Sequence, residues 1–230
     1  MKKPKKEAVE ETTEQKKGKE VKKLEKQGWI VASIAAGIII IVLCAFFYAQ
    51  SSNHFKYIGL DFEKTRMGEI ILYRTNVPII KNNALTELLT IDFRNNPKSL
   101  ENIDVNLISE KIKLLSNNLT YISYNKSLKI CEDNGLAAAN LGGFLFQIGI
   151  NAKGVIDDID YINNTNLLYA NCNTNPYNSV IYITNGDETK IEQTNVNCYK
   201  IIVKDCEILK ATEKFQLELV EEYMHTLYNF

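Results

Sequence analysis

The residues able to do chemistry are few. The chain holds only two histidines, His54 and His225. A Ser-His-Asp triad, a Cys-His pair or a multi-histidine metal centre therefore has little to draw on. Neither a P-loop, a dinucleotide fingerprint, a zinc-protease helix nor a nucleophile elbow occurs in it. Asp157, Asp158 and Asp160 form the one dense carboxylate cluster, just after an expected strand. Hard cations take oxygen ligands of this kind, although a solvated turn explains the three aspartates with fewer assumptions. Arg66, Arg74 and Arg94 lie in or beside the expected early strands, where a shared anion site is conceivable and scattered surface charge is the simpler reading. Gly142-Gly143 follows Ala137 to Ala139 in mid-helix, away from the free amides that bind phosphate at a helix start, so close packing of helix on sheet is expected there. Glu207 and Glu213 fall at the start of the last expected helix, where they complement its positive end. On these grounds no catalytic residue is assigned and no cofactor is expected.

Five cysteines occur, Cys44 and a group of four, Cys131, Cys172, Cys198 and Cys206. An even number outside the cytoplasm favours disulfides, and four cysteines allow three connectivities. Nearest-neighbour pairing, Cys131 with Cys172 and Cys198 with Cys206, is the expectation. Zinc is disfavoured because no C-x-x-C pair is present and histidine is scarce. Asn118, Asn125 and Asn163 each open an N-x-Ser/Thr sequence, which marks them as glycan acceptor candidates on an extracytoplasmic chain.

The compartment is read from the first 50 residues. Residues 1 to 28 carry ten lysines against six glutamates, a net of +4 that leaves −5 for the rest of a chain whose total is −1. Such a tail, with too few apolar residues to bury anything, is expected to be disordered. Trp29 to Ala49 then runs uncharged for 21 residues, which as a helix would cover about 31 Å, the thickness of a bilayer's hydrocarbon core. A transmembrane helix over 29–49 is therefore expected. Lys22, Lys23 and Lys26 just before it would keep the N-terminus in the cytoplasm and place the C-terminal domain outside, with the lipid bilayer as first partner. A secretory signal cut after Ser51 is the competing expectation. The acidic balance of the domain would repel phosphate, so no nucleic acid is expected as a partner.

Beyond a spacer at 50–54, residues 55–230 have the length of one ordinary domain. Alternating apolar residues predict a hairpin from Tyr57 to Phe62 and Ile70 to Tyr73, with Pro78 ending its second strand, and a third strand from Leu85 to Phe93. Leu107, Ile108, Ile112, Leu114 and Leu115 recur at helical spacing behind Asn106. A strand at Tyr121 to Tyr124, a helix from Glu132 to Ile148 stopped by Gly149, and a strand at Ala152 to Ile156 predict one βαβ unit with parallel pairing. Strands at Val180 to Thr184 and Tyr199 to Val203 follow, with a turn at Asn185 to Asp187. The last helix is expected from Glu207 to Tyr228, with Ile208, Ala211, Phe215, Leu219, Tyr223 and Leu227 buried and Glu218, Glu221 and Glu222 wet. The expected fold class is α/β or α+β, a transmembrane helix followed by one mixed sheet with helices packed on it.

The strings YRTNVP (73–78), DFRNNPKSL (92–100), NLGGFL (140–145) and CEILKATEKF (206–215) are similar to segments of uncharacterised single-pass membrane-anchored proteins of small-genome archaea. That resemblance implies an anchored domain at an archaeal surface and brings no activity or site residues with it. Two functions remain open on the residues. One is a membrane-tethered extracytoplasmic interaction or assembly module with an envelope protein as partner. The other is a membrane-anchored enzyme acting on envelope or extracellular substrates, built around Asp157, Asp158 or Asp160 near a strand end.

Overall fold

The computed structural model describes residues 29, 33–44, 53–81, 84–115, 119–158, 160, 168–173 and 177–228. They belong to two compact units, Met1–Asn53 and His54–Phe230. In the first unit residues 33–44 are helical, a run that covers about 18 Å at 1.5 Å per residue. Among the described residues no helix is long and apolar enough to cross a membrane. The expected transmembrane helix over 29–49 is corrected on that ground; its residues 30–32 and 45–49 lie outside the described ones. The expected tail over 1–28 lies outside the described residues, as do residues 50–52 of the spacer, and His54 already begins a strand.

The second unit is an α+β fold with two separate sheets in place of the single mixed sheet expected. The first is an antiparallel meander, β1 (His54–Tyr57), β2 (Leu60–Met67), β3 (Ile70–Lys81) and β4 (Ala84–Phe93), in that spatial order. The β1–β2 turn is a two-residue loop closed by the Tyr57–Leu60 pair, with Ile58 and Gly59 both at positive φ, the geometry that matches the twist of a hairpin. Strand β2 pairs with β3 only as far as Phe62 opposite Thr75, whereas β3 and β4 stay paired out to Lys81 and Ala84. Pro78 therefore does not end β3. It stands where β3 has a strand on one side only, and a residue without an N–H is tolerated at such an edge.

A 3-10 helix (Pro97–Asn102) leads to the six-stranded sheet, formed by β5 (Asp104–Asn106), β6 (Thr120–Asn125), β7 (Ala152–Asp157), β8 (Val180–Asn185), β9 (Lys190–Asn195) and β10 (Cys198–Val203). Its order is β5-β9-β10-β8-β6-β7, with β6, β7, β8 and β10 parallel and β9 and β5 running the other way. The expected βαβ unit is present as β6, helix α1 (Asn134–Gln147) and β7, the two strands adjacent and parallel. Gly149, at φ +82, ends α1, and the Gly149 and Ile150 amides turn back to the carbonyls of Phe146 and Leu145. Strand β9 was not anticipated: KIEQTN has a single apolar residue, Ile191, too few to register as an alternation.

The helix expected over residues 107–115 does not form. The Ile108 and Ser109 amides donate to Gln193 Oε1 (3.0 and 2.9 Å), the Lys113 amide to the Tyr199 hydroxyl (2.7 Å), and the Leu115 amide to Ser179 Oγ (2.9 Å). Side chains from the sheet thus satisfy amides that a helix would have paired internally. The helical spacing of the leucines and isoleucines is a coincidence of an irregular strap, which still buries Ile112.

Helix α2 (Ile208–Tyr228) belongs to both halves of the core. Phe215 packs edge-on against Tyr199 of β10, with ring centroids 5.8 Å apart. Elsewhere on the helix, the Tyr223 hydroxyl accepts the Ile80 amide of β3 at 3.0 Å. Ala211 through Leu217 are buried without interruption, polar residues included. Glu213 accepts the Arg94 amide (2.6 Å), the Asn95 amide (3.0 Å) and Asn95 Nδ2 (2.8 Å), fastening the end of β4 to the helix. Complementing the helix start is thus not the role the fold gives it. Lys214 is paired with Glu218 at 2.7 Å, one turn on.

Gly142 and Gly143 lie within α1. A methyl at Gly142 would sit 3.9 Å from Ile122 Cδ1, an ordinary contact, and at Gly143 it would meet nothing within 4 Å. Close approach does not require either glycine, contrary to expectation. Gly143→Ala should accordingly stabilise the domain by about 0.5–1 kcal/mol by restricting the unfolded chain, read as a rise in Tm of about 2 °C.

Burial raises the Glu213 carboxyl above its ordinary value of 4.5, against the pull of its three donors. A folded-state pKa above the unfolded one means that stability is greatest where the group is protonated and is lost as pH rises through the folded value. Chemical denaturation at rising pH should show the native protein losing ground to Glu213→Gln once the pH passes the ordinary value of 4.5. Glu213→Ala, which strands three donors, should cost about 3 kcal/mol.

Candidate functional site

The six-stranded sheet has two unlike faces. Ile122, Ile181, Ile183, Ile191, Tyr199, Ile201 and Val203 lie on the apolar one and belong to the main core, along with residues of α1 and α2. Strand alternation puts Ser123, Asp157, Tyr182 and Cys198 on the opposite face. There residues 170–172, between β7 and β8, lie against the sheet: buried Ser123 donates to the Ala170 carbonyl at 2.5 Å, and Cys172 is bonded to Cys198.

The second disulfide joins Cys131 to Cys206. Nearest-neighbour pairing is therefore wrong for all four cysteines. Cys131 precedes α1 and Cys206 precedes α2, and the parallel strands β6 and β10 bring the approaches to the two helices to the same end of the sheet. Cys198 opens β10 and can be reached by the β7–β8 connection crossing over it. The loops closed span 75 and 26 residues, for which chain entropy supplies about 4.5 and about 3.5 kcal/mol. Cys44 is free and exposed.

Asp157 stands at the C-terminal end of β7, opposite Asn125 of β6. Its Oδ2 accepts the Tyr182 hydroxyl at 2.6 Å and its Oδ1 accepts Asn171 Nδ2 at 3.2 Å. Tyr182 in turn accepts Asn125 Nδ2 at 2.6 Å, and Asn171 also donates to the Tyr169 hydroxyl at 2.7 Å. Burial, followed by the hydrogen bond to Asp157, pushes the Tyr182 hydroxyl up to about 12. The arrangement ties the β7–β8 connection to the strand ends, with both Asp157 oxygens occupied. Asp158 points to Lys126 at 3.9 Å and accepts the Asp160 amide at 3.1 Å. Among the described residues no three His, Cys, Asp or Glu side chains converge as a metal site would require. The fold keeps Asp158 beside Asp160 and draws Asp157 into a group, Asn125, Asp157, Tyr169, Asn171 and Tyr182, that is scattered over 58 positions and left no local signal.

Asn125 also accepts the Ser127 amide and hydroxyl, at 2.8 and 2.5 Å. Its Nδ2, the atom a glycan would take, is committed to Tyr182. Asn118 and Asn163 lie outside the described residues. Arg66 and Arg74 do not share a site: Arg66 stands opposite Ile71 and Arg74 opposite Glu63, which puts the two side chains on opposite faces of the meander. Arg74 makes a two-pronged contact with Asp92 at 2.7 and 2.9 Å, which raises its pKa further.

Two depressions flank the second half of α2. One, of about 400 Å³, is lined by Leu107, Glu110, Lys111, Ile112, Glu218, Glu221, Glu222 and His225. The glutamates expected to form a wet face thus line a cleft, where Lys111 pairs with Glu222 at 3.0 Å and His225 faces Glu221 at 3.6 Å. The other, of about 330 Å³, is mainly apolar, built from Val77, Ile79 and Ile80 of β3, Phe144 and Ile148 around the end of α1, and Leu219, Val220 and Tyr223 of α2, with Glu87 of β4 at its side. Strand β4 is the last strand of its sheet and carries Leu85 and Leu88, 62% and 59% exposed. No sequence pattern singled out this groove, because its walls come from three elements that only the fold brings together.

Compared with family models, with curated proteins and with solved structures, the chain matches none.

Peptide mapping without reduction should yield linked peptides for Cys131–Cys206 and Cys172–Cys198; a Cys131–Cys172 peptide would contradict this fold. In protein from a glycosylating host, the peptide holding Asn125 should be recovered at its unmodified mass. Tyr182→Phe should reduce stability by about 1–2 kcal/mol, since it leaves Asp157 and Asn125 each short of a partner.

Proposed function

We propose that the domain is an extracytoplasmic protein-binding module which takes an extended, apolar segment of another protein along β4 and into the groove beside it. The observation that carries this reading is the position of β4: ten residues long and, among the described residues, the last strand of its sheet, it borders the apolar groove through Glu87 and carries the exposed Leu85 and Leu88, the latter on the other face of the ribbon, opposite Pro78. The free edge of such a strand presents backbone donors and acceptors to any extended chain, and natural proteins usually blunt edges of this kind. Glu87 is the one charge between Leu85 and Leu89, and the Thr86 hydroxyl is taken up by the Ile79 carbonyl at 2.9 Å. The two disulfides support placement in an oxidising compartment, where such bonds persist. Asp157 and Asp158 are engaged with their neighbours, so the strand ends favour an enzyme less.

The test is a photo-crosslinking amino acid at position 88, with Asp187, an exposed loop residue on the other sheet, as the control position. A discrete adduct with one protein from position 88 and none from position 187 is expected in intact cells. Leu85→Asp with Leu88→Asp should leave the fold intact and weaken that partner about a hundredfold, about 2.7 kcal/mol. Equal adducts from both positions, or full binding by the double variant, would overturn the reading.

A further inference from the structure

We draw no further inference here: the strongest candidate, the acidic cleft between residues 107–112 and the last turns of α2, is a carboxylate cluster partly engaged with Lys111 and His225, and nothing else in the structure points to a ligand for it.

Discussion

The burial of α2 between two sheets is the constraint on which the domain depends. A helix on the surface of a sheet needs one apolar stripe. A helix with protein on nearly all sides must satisfy every polar group it carries. Glu213, Lys214 and Gln216 are buried; Glu213 is held by the β4 corner and Lys214 by Glu218, and Gln216 Nε2, which has no hydrogen-bond partner among the described residues, is an exception to that rule. A buried carboxylate is expensive unless hydrogen-bonded, and the Arg94 and Asn95 corner at the end of β4 supplies Glu213 with its donors. The Tyr223 hydroxyl does the same for the far end of β3, where β2 no longer reaches.

The two disulfides act on opposite sides of the six-stranded sheet's architecture. Cys131–Cys206 joins the approaches to α1 and α2, the helices whose packing makes the main core. Cys172–Cys198 holds the β7–β8 connection against the polar face, and the Asp157 network holds the same connection at the strand ends. The β7–β8 connection is therefore tied twice, once covalently and once by hydrogen bonds. This explains why a carboxylate at the end of parallel strands, often a ligand position, serves here to anchor the chain.

What remains for function is surface that the core leaves unfinished. The β3–β4 ribbon runs past the end of β2, so its outer part is a two-stranded arm with no further strand on either edge among the described residues and an apolar depression at its base. A two-stranded ribbon is marginal alone, and here α2 supports it through Tyr223. The exposed leucines and the open edge of this arm are features that a domain with no partner has reason to lose.

Several elements were legible in the sequence because local physics decides them. The 3.6-residue period of α1 and α2, the alternation in β2, β6, β8 and β10, the stop at Gly149 and the parallel βαβ unit all depend on residues near one another in the chain. The commitment of four cysteines to disulfides was legible as well. Their pairing was not, because nearness in sequence says little about which strand ends the sheet order brings together. Residues 107–115 read as a helix until Gln193, Tyr199 and Ser179 took their amides, and β9 was silent with only Ile191 to mark it. Asp157 to Asp160 looked like a cluster because composition counts charges and does not see where alternate side chains point. The groove beside β4 had no signature at all. Its walls meet only when a helix is enclosed by two sheets, and contacts across such distances are set by the burial of the whole core rather than by any stretch of it.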